Sequence, residues 1–188
     1  MFSKVYKKSV EVVALAAFCT LLSPIGLGIA LDVLGGSVIP ATPFDQKLMM
    51  AGGLEPTGAM MSGSLMPSDE LFRQARSMRY VADPASRDIW QSPDETQARW
   101  AGDCEDKALW LFAALKRNGY SNVRLVVGRY RSIDKNFHVW VTMADDTDHV
   151  FVLDPTAQKK IWKVTDFGAG TYKALYSFDG VHRYRHNA

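Results

Sequence analysis

An α+β domain is predicted for this chain of 188 residues, with helices leading and an antiparallel β-sheet following. Three stretches predict it. Residues 104–117 place Ala108, Leu109, Leu111, Phe112 and Leu115 at helical spacing, between Asp103 as N-cap and Asn118-Gly119 as stop signal. Residues 136–144, NFHVWVTMA, alternate, with His138, Trp140 and Thr142 on one face and Val139, Val141 and Met143 on the other. Residues 149–153, HVFVL, form the next strand, after the turn Asp145-Asp146-Thr147-Asp148 and before Asp154-Pro155-Thr156.

The other elements follow in order. Lys4, Lys7 and Lys8 precede an apolar run from Val10 to Leu34 that is broken by Glu11, Pro24 and Asp32. Residues 1–34 therefore read as a signal peptide or a signal anchor. The run is long enough to span a bilayer, which would tie an exported, periplasmic domain to the inner membrane. Residues 35–67 are rich in Gly, Pro, Met, Ser and Ala without periodicity, and are expected to be a flexible linker. The domain proper is placed at residues 68–188. Ser68-Asp69-Glu70 opens a helix with Leu71, Phe72, Ala75, Met78 and Val81 on its apolar face, closed by Asp83-Pro84. Ser92 is an N-cap with Pro93 at the first helical position, starting a short helix that runs to Trp100. Residues 122–131 form the first strand of a three-stranded meander. A last strand is expected at residues 174–178, and His182 and His186 fall in a polar tail.

Composition excludes some functions. The net charge of +2 gives no electrostatic case for nucleic acid. No Gly-rich phosphate loop occurs. The two cysteines lie far apart, Cys19 in the apolar leader and Cys104 in the domain, so neither a disulfide framework nor a zinc-ligand spacing is present. A lone thiol in an exported domain needs a reason.

Catalysis is one such reason. Cys104 falls at the N-terminus of a buried helix, where orphan N–H groups and the helix dipole favour a thiolate nucleophile. Adjacent antiparallel strands can set His138 beside Asp154, and a helix packed on that sheet can present Cys104 to both. In that arrangement Cys104 attacks a carbonyl, His138 takes and returns the proton, and Asp154 orients the imidazole. The bland alternatives are a small buried cysteine, a half-buried strand histidine and a turn-forming aspartate.

The stretch Gly102-Asp103-Cys104-Glu105-Asp106 resembles the G-D-C-E-D signature of the bacterial transglutaminase-like cysteine proteinases, and Asp88-Ile89-Trp90-Gln91-Ser92-Pro93-Asp94-Glu95 resembles the approach to that signature. His138-Val139-Trp140 and Leu153-Asp154-Pro155-Thr156 are similar to the histidine and aspartate motifs of that superfamily. The resemblance spans residues 68–178. It implies a papain-like, transglutaminase-like fold and a cysteine peptidase acting on a periplasmic or surface protein through a thioester. The same triad could instead transfer the acyl group to an amine, or the domain could be silent and bind a protein or cell-wall partner. The LapG-type branch is calcium-dependent, and by motif the ion would lie on Asp103 and Glu105, with Asp106 nearby. In papain-like enzymes an upstream glutamine helps the oxyanion hole. Gln97 is the candidate, with Gln91 competing, beside the backbone N–H of Cys104.

Overall fold

The computed structural model describes residues 35–52, 66–131 and 136–187. The expected leader at residues 1–34 and the residues 53–65 of the expected linker lie outside these. Among the described residues no helix is long and apolar enough to cross a membrane.

In chain order the elements are β1 (Ser37–Ile39), α1 (Asp45–Met50), α2 (Ser68–Ser77), β2 (Arg79–Tyr80), α3 (Pro93–Arg99), β3 (Ala101–Gly102) and α4 (Cys104–Arg117). Then come β4 (Val123–Tyr130), β5 (His138–Ala144), β6 (Val150–Leu153), β7 (Trp162–Lys163), a 3-10 turn (Val164–Asp166), β8 (Tyr172–Phe178) and β9 (Arg183–Arg185). Seven strands form one antiparallel sheet in the order β1-β9-β8-β4-β5-β6-β7, so the expected α+β class is the observed one. The three strands read as a meander are the consecutive neighbours β4, β5 and β6.

Helix α4 is the centre of the packing. It lies on β4 and β5 and is covered from outside by α2 and α3. Leu109, Leu111, Phe112 and Leu115 are at most 1 % exposed. Burial of such side chains contributes about 1.5–3 kcal/mol each. Because neighbours surround the helix, its polar first turn is buried as well, with Glu105, Asp106 and Lys107 all enclosed. Lys107 reaches the Met78 carbonyl with Nζ at 3.2 Å, and burial lowers its pKa.

Val127, Val139 and Val141 face α4, whereas Val126, Trp140, Val152 and Ala174 form a second core on the far side of the sheet, closed by Val164 and Phe167. This is the two-faced alternation expected of β5. One irregularity breaks the β4–β8 register between Val127 and Gly128. It leaves Leu175 as the extra residue, and its carbonyl accepts from the His186 N–H at 2.9 Å.

Several expectations are corrected. Residues 35–52 are structured rather than linker: β1 pairs with β9, and Phe44, Leu48 and Ala51 enter the main core. The local sequence shows no period because the segment is only one short strand and one helix of 6 residues, held by distant partners. Asp45 accepts from Arg183 Nε at 2.9 Å, and Lys47 pairs with Asp88. Helix α2 ends at Ser77, not near Val81. Arg79 and Tyr80 turn instead into a strand parallel to β3, with Arg79 N–H on the Trp100 carbonyl and Val81 N–H on the Gly102 carbonyl, each at 3.1 Å. The tail is also ordered. His186 is 3 % exposed and meets Ser177 Oγ with Nε2 at 2.9 Å.

Candidate active site

Helix α3 sets the approach to the cysteine. Ser92 Oγ accepts the Glu95 N–H at 3.2 Å, and Glu95 Oε2 accepts the Ser92 N–H at 2.9 Å, the reciprocal capping box that Ser92-Pro93 and Glu95 encode. The helix stops at Trp100, whose left-handed backbone (φ 47°) turns the chain into β3 and onto Asp103.

Asp103 precedes the first residue of α4, which is Cys104. The N–H of Asp103 donates to Asp106 Oδ2 at 3.3 Å, and Asp106 Oδ1 takes the Gln91 N–H at 2.8 Å. The Gln91 side-chain amide bonds Asp106 as well. Asp106 thus ties the upstream loop to the first turn of α4. It comes so close to Gly102 that a Cβ there would lie 2.6 Å from its Oδ2. The Gly-Asp-Cys sequence is therefore a packing requirement as well as a cap.

The thiol of Cys104 is partly exposed and lines a groove of about 550 Å³. Phe44, Trp90, Phe137, Val127 and Val139 form its apolar wall, and Asp83, Asp88, Asp103 and Glu105 are also at its surface. The thiol donates to Glu105 Oε2 at 3.0 Å. Burial, followed by the charge of Glu105, pushes the Cys104 pKa far up, while the nearby Val139 backbone opposes the rise. The Cys104 amide, in the first turn of α4, has no intrahelical acceptor and is available to an oxyanion.

His138, at the start of β5, and Asp154, just past β6, meet across the sheet. Nε2 of His138 lies 2.7 Å from Asp154 Oδ2. Asp154 is fully buried, and its pKa nonetheless falls. Burial pushes it up, but bonds from His138, the Ala157 N–H and Tyr172 outweigh this. With Nε2 committed to Asp154, Nδ1 is the ring nitrogen left for a thiol; His138 itself is not among the residues that line the groove. Gly128 of β4 stands opposite His138 in the register.

The acids around the cysteine form two overlapping clusters. Oxygens or sulfur of Asp103, Cys104 and Glu105, and separately oxygens of Asp83, Asp88 and Glu105, lie within 4.8 Å of one another. Burial and the neighbouring Asp103 push the Glu105 pKa up to about 8, and burial pushes Asp106 up to about 6. Burial also raises Asp103, whose Oδ1 is buried with no hydrogen-bond partner among the described residues.

The structure therefore places Cys104, Asp103 and Glu105 together at the groove, and bonds His138 to Asp154. Val139, the residue after His138, lines the groove with Cys104. Gln97 is placed elsewhere. Its Oε1 accepts from Trp110 Nε1 at 2.9 Å, well along α4, and it does not line the groove. Gln91 is held by Asp106 and is likewise absent from the lining. Sequence reasoning overlooked Asp83 and Asp88, which read only as a helix stop and a motif residue, and Phe44, which lay in the expected linker. The one available signal was Asp88 in the stretch leading to Trp90, whose Nε1 donates to Asp88 Oδ1 at 2.9 Å.

No family model matches the sequence, and no curated protein matches it. Solved structures do match. Calcium-bound LapG of Legionella pneumophila superposes with a TM-score of 0.55 at 20 % identity, over 76 % of this chain and 77 % of that one. The EGTA-treated form gives the same TM-score and identity over 76 % and 75 %. A third LapG structure covers 85 % of this chain and 86 % of that one, with a TM-score of 0.54 at 20 % identity. The chain thus has a LapG-like fold, as its motifs predicted.

Proposed function

We propose that this chain is a cysteine peptidase of the transglutaminase-like kind, with Cys104 as nucleophile, His138 as general base and acid, and Asp154 as the orienting carboxylate. The observation that carries the reading is the 2.7 Å contact of His138 Nε2 with a fully buried Asp154, in a fold that packs the helix beginning at Cys104 on the strand beginning at His138. Cys104 Sγ attacks the substrate carbonyl carbon and its proton passes to His138 Nδ1. The amine leaves with that proton, and a thioester remains on Cys104. Water then attacks the thioester, again with His138 as base, and releases the acid and the free thiol. The Cys104 N–H is the backbone donor to the oxyanion. The groove of about 550 Å³ beside Cys104 is where a segment of the protein substrate would lie. The basic and apolar leader supports export to the periplasm, with retention at the inner membrane if it is not removed.

The acids at the groove fit a hard divalent cation. They offer only oxygen, and Asp103 holds a buried Oδ1 with no hydrogen-bond partner among the described residues. Asp103 and Glu105, with Asp83 and Asp88, would hold calcium, the ion named for one of the Legionella structures. Bound there, it would supply the charge that offsets the carboxylates beside the thiol.

The test is the rate of Cys104 alkylation by iodoacetamide against pH, read by peptide mass spectrometry so that Cys19 is counted separately. Fast alkylation well below pH 8.5 in calcium, slowed by chelator and by His138→Ala, is expected. A thiol that reacts only as pH nears the ordinary value of about 8.5, with and without calcium, overturns the reading.

A further inference from the structure

We propose that Tyr172, with Gln158 behind it, is a positioning residue for the site: its hydroxyl fixes the Asp154 carboxylate that holds His138. This rests on the Cys104, His138 and Asp154 reading above.

The geometry is a closed set of hydrogen bonds. Asp154 Oδ1 accepts the N–H groups of Thr156 at 3.0 Å and Ala157 at 2.9 Å. Oδ2 accepts from His138 and from the Tyr172 hydroxyl at 2.8 Å. A carboxylate offers about four acceptor positions, and here all are used. Rotation of the carboxylate about its terminal bond moves both oxygens and disturbs all four bonds at once. Rotation would turn the imidazole with it, since the same oxygen faces His138.

The direction of the Tyr172 O–H is itself settled. Gln158 Nε2 donates to the phenol oxygen at 2.9 Å, so the phenol proton is left to point at Asp154. Burial and the adjacent Asp154 charge raise the Tyr172 pKa, which keeps the group a donor. The ring is clamped by Trp140 and Tyr130, each at 5.1 Å, and by Phe167 at 4.9 Å. Tyr172 touches Asp154 and does not line the groove, so it acts through the triad rather than on substrate.

Tyr172→Phe keeps the ring and removes only the hydroxyl. Gln158 is partly exposed and can turn to water, so the fold tolerates the change. Two readouts test the proposal. The first is the alkylation rate of Cys104 by iodoacetamide, in calcium, at the pH of the wild-type plateau. Loss of a hydrogen bond to a charged group predicts a fall of about 10- to 150-fold. Gln158→Leu, which frees the hydroxyl to rotate, should give a smaller fall. The second is the ring ¹⁵N spectrum of His138 in a Cys104→Ala background, which reports the tautomer without needing a reactive thiol. The Nε2-protonated form should dominate, and Tyr172→Phe should add the other tautomer or weaken the Nε2–H bond. A merely structural tyrosine would lower the melting temperature and leave both readouts where they were, and that result overturns the proposal. If wild-type Cys104 shows no enhanced reactivity, the peptidase reading fails, and the ¹⁵N spectra still decide whether Tyr172 orients Asp154 and His138.

Discussion

Gly128→Ala tests the packing behind the site. Gly128 faces His138 in the β4–β5 register and sits at the irregular step of the β4–β8 pairing. A Cβ built there would lie 2.6 Å from Trp140 Cη2, 3.0 Å from Ala174 Cα, and closer still to the Lys173 carbonyl oxygen. Two of these three obstacles are backbone atoms of β8. The third belongs to a fully buried indole, stacked at 6.1 Å on His138 and tilted against Tyr172 at 5.1 Å. Relief requires β8 to retreat or Trp140 to turn, and overpacking of this kind costs about 2–3 kcal/mol. For a domain of this size that lowers Tm by about 5–10 °C. Thermal unfolding followed by circular dichroism measures it. Gly168→Ala is the control, because the nearest atom to a Cβ there is Thr171 Oγ1 at 4.0 Å, and it should leave Tm in place. A Gly128→Ala protein melting within about 2 °C of wild type, roughly 1 kcal/mol or less, would refute the reasoning.

Two further outcomes are expected. Glu105 holds its proton to about pH 8 in the folded chain, whereas unfolded carboxyls release theirs near pH 4, so folding favours the protonated form. Its stabilising share is complete below about pH 4.5 and is lost as pH rises to about 8; in chelator the urea midpoint should fall across that window, and calcium should flatten the fall. A midpoint that is level or rising in chelator contradicts this. Gln97→Ala should lower Cys104 reactivity by less than about 3-fold while costing about 1 kcal/mol of stability through the lost Trp110 bond; a reactivity loss of 100-fold would return Gln97 to the oxyanion hole.

Much of the fold could be read from local signals because they coincide with tertiary roles. Asp103 and the apolar spacing from Ala108 to Leu115 mark a helix that is buried. The alternation through His138, Val139 and Trp140 marks a strand with a core on each face. The pairing of His138 with Asp154 follows from their places on consecutive antiparallel strands. What escaped reading depends on distant partners. Nothing near Ser37–Ile39 announces that Arg183–Arg185 will pair with it, and Arg79-Tyr80 continues a helical pattern until β3 captures it. Gln97 was placed by sequence distance from Cys104, but a helix carries side chains around as well as along its axis, and Trp110 claimed it. Asp83 and Asp88 lie on irregular backbone, where spacing holds no period to count.

The pairing of β1 with β9 bears on how the domain is made. These strands come from near opposite ends of the described chain, so their ladder is among its least local contacts, and such contacts form late because loop closure precedes any gain from them. The segment that begins with β1 also delivers Phe44 to the groove wall, where its ring meets Phe137 edge-on at 5.2 Å. During synthesis, the groove therefore lacks one wall until the chain has emerged through Arg185. A groove complete around Cys104 is then among the last features the folding domain acquires.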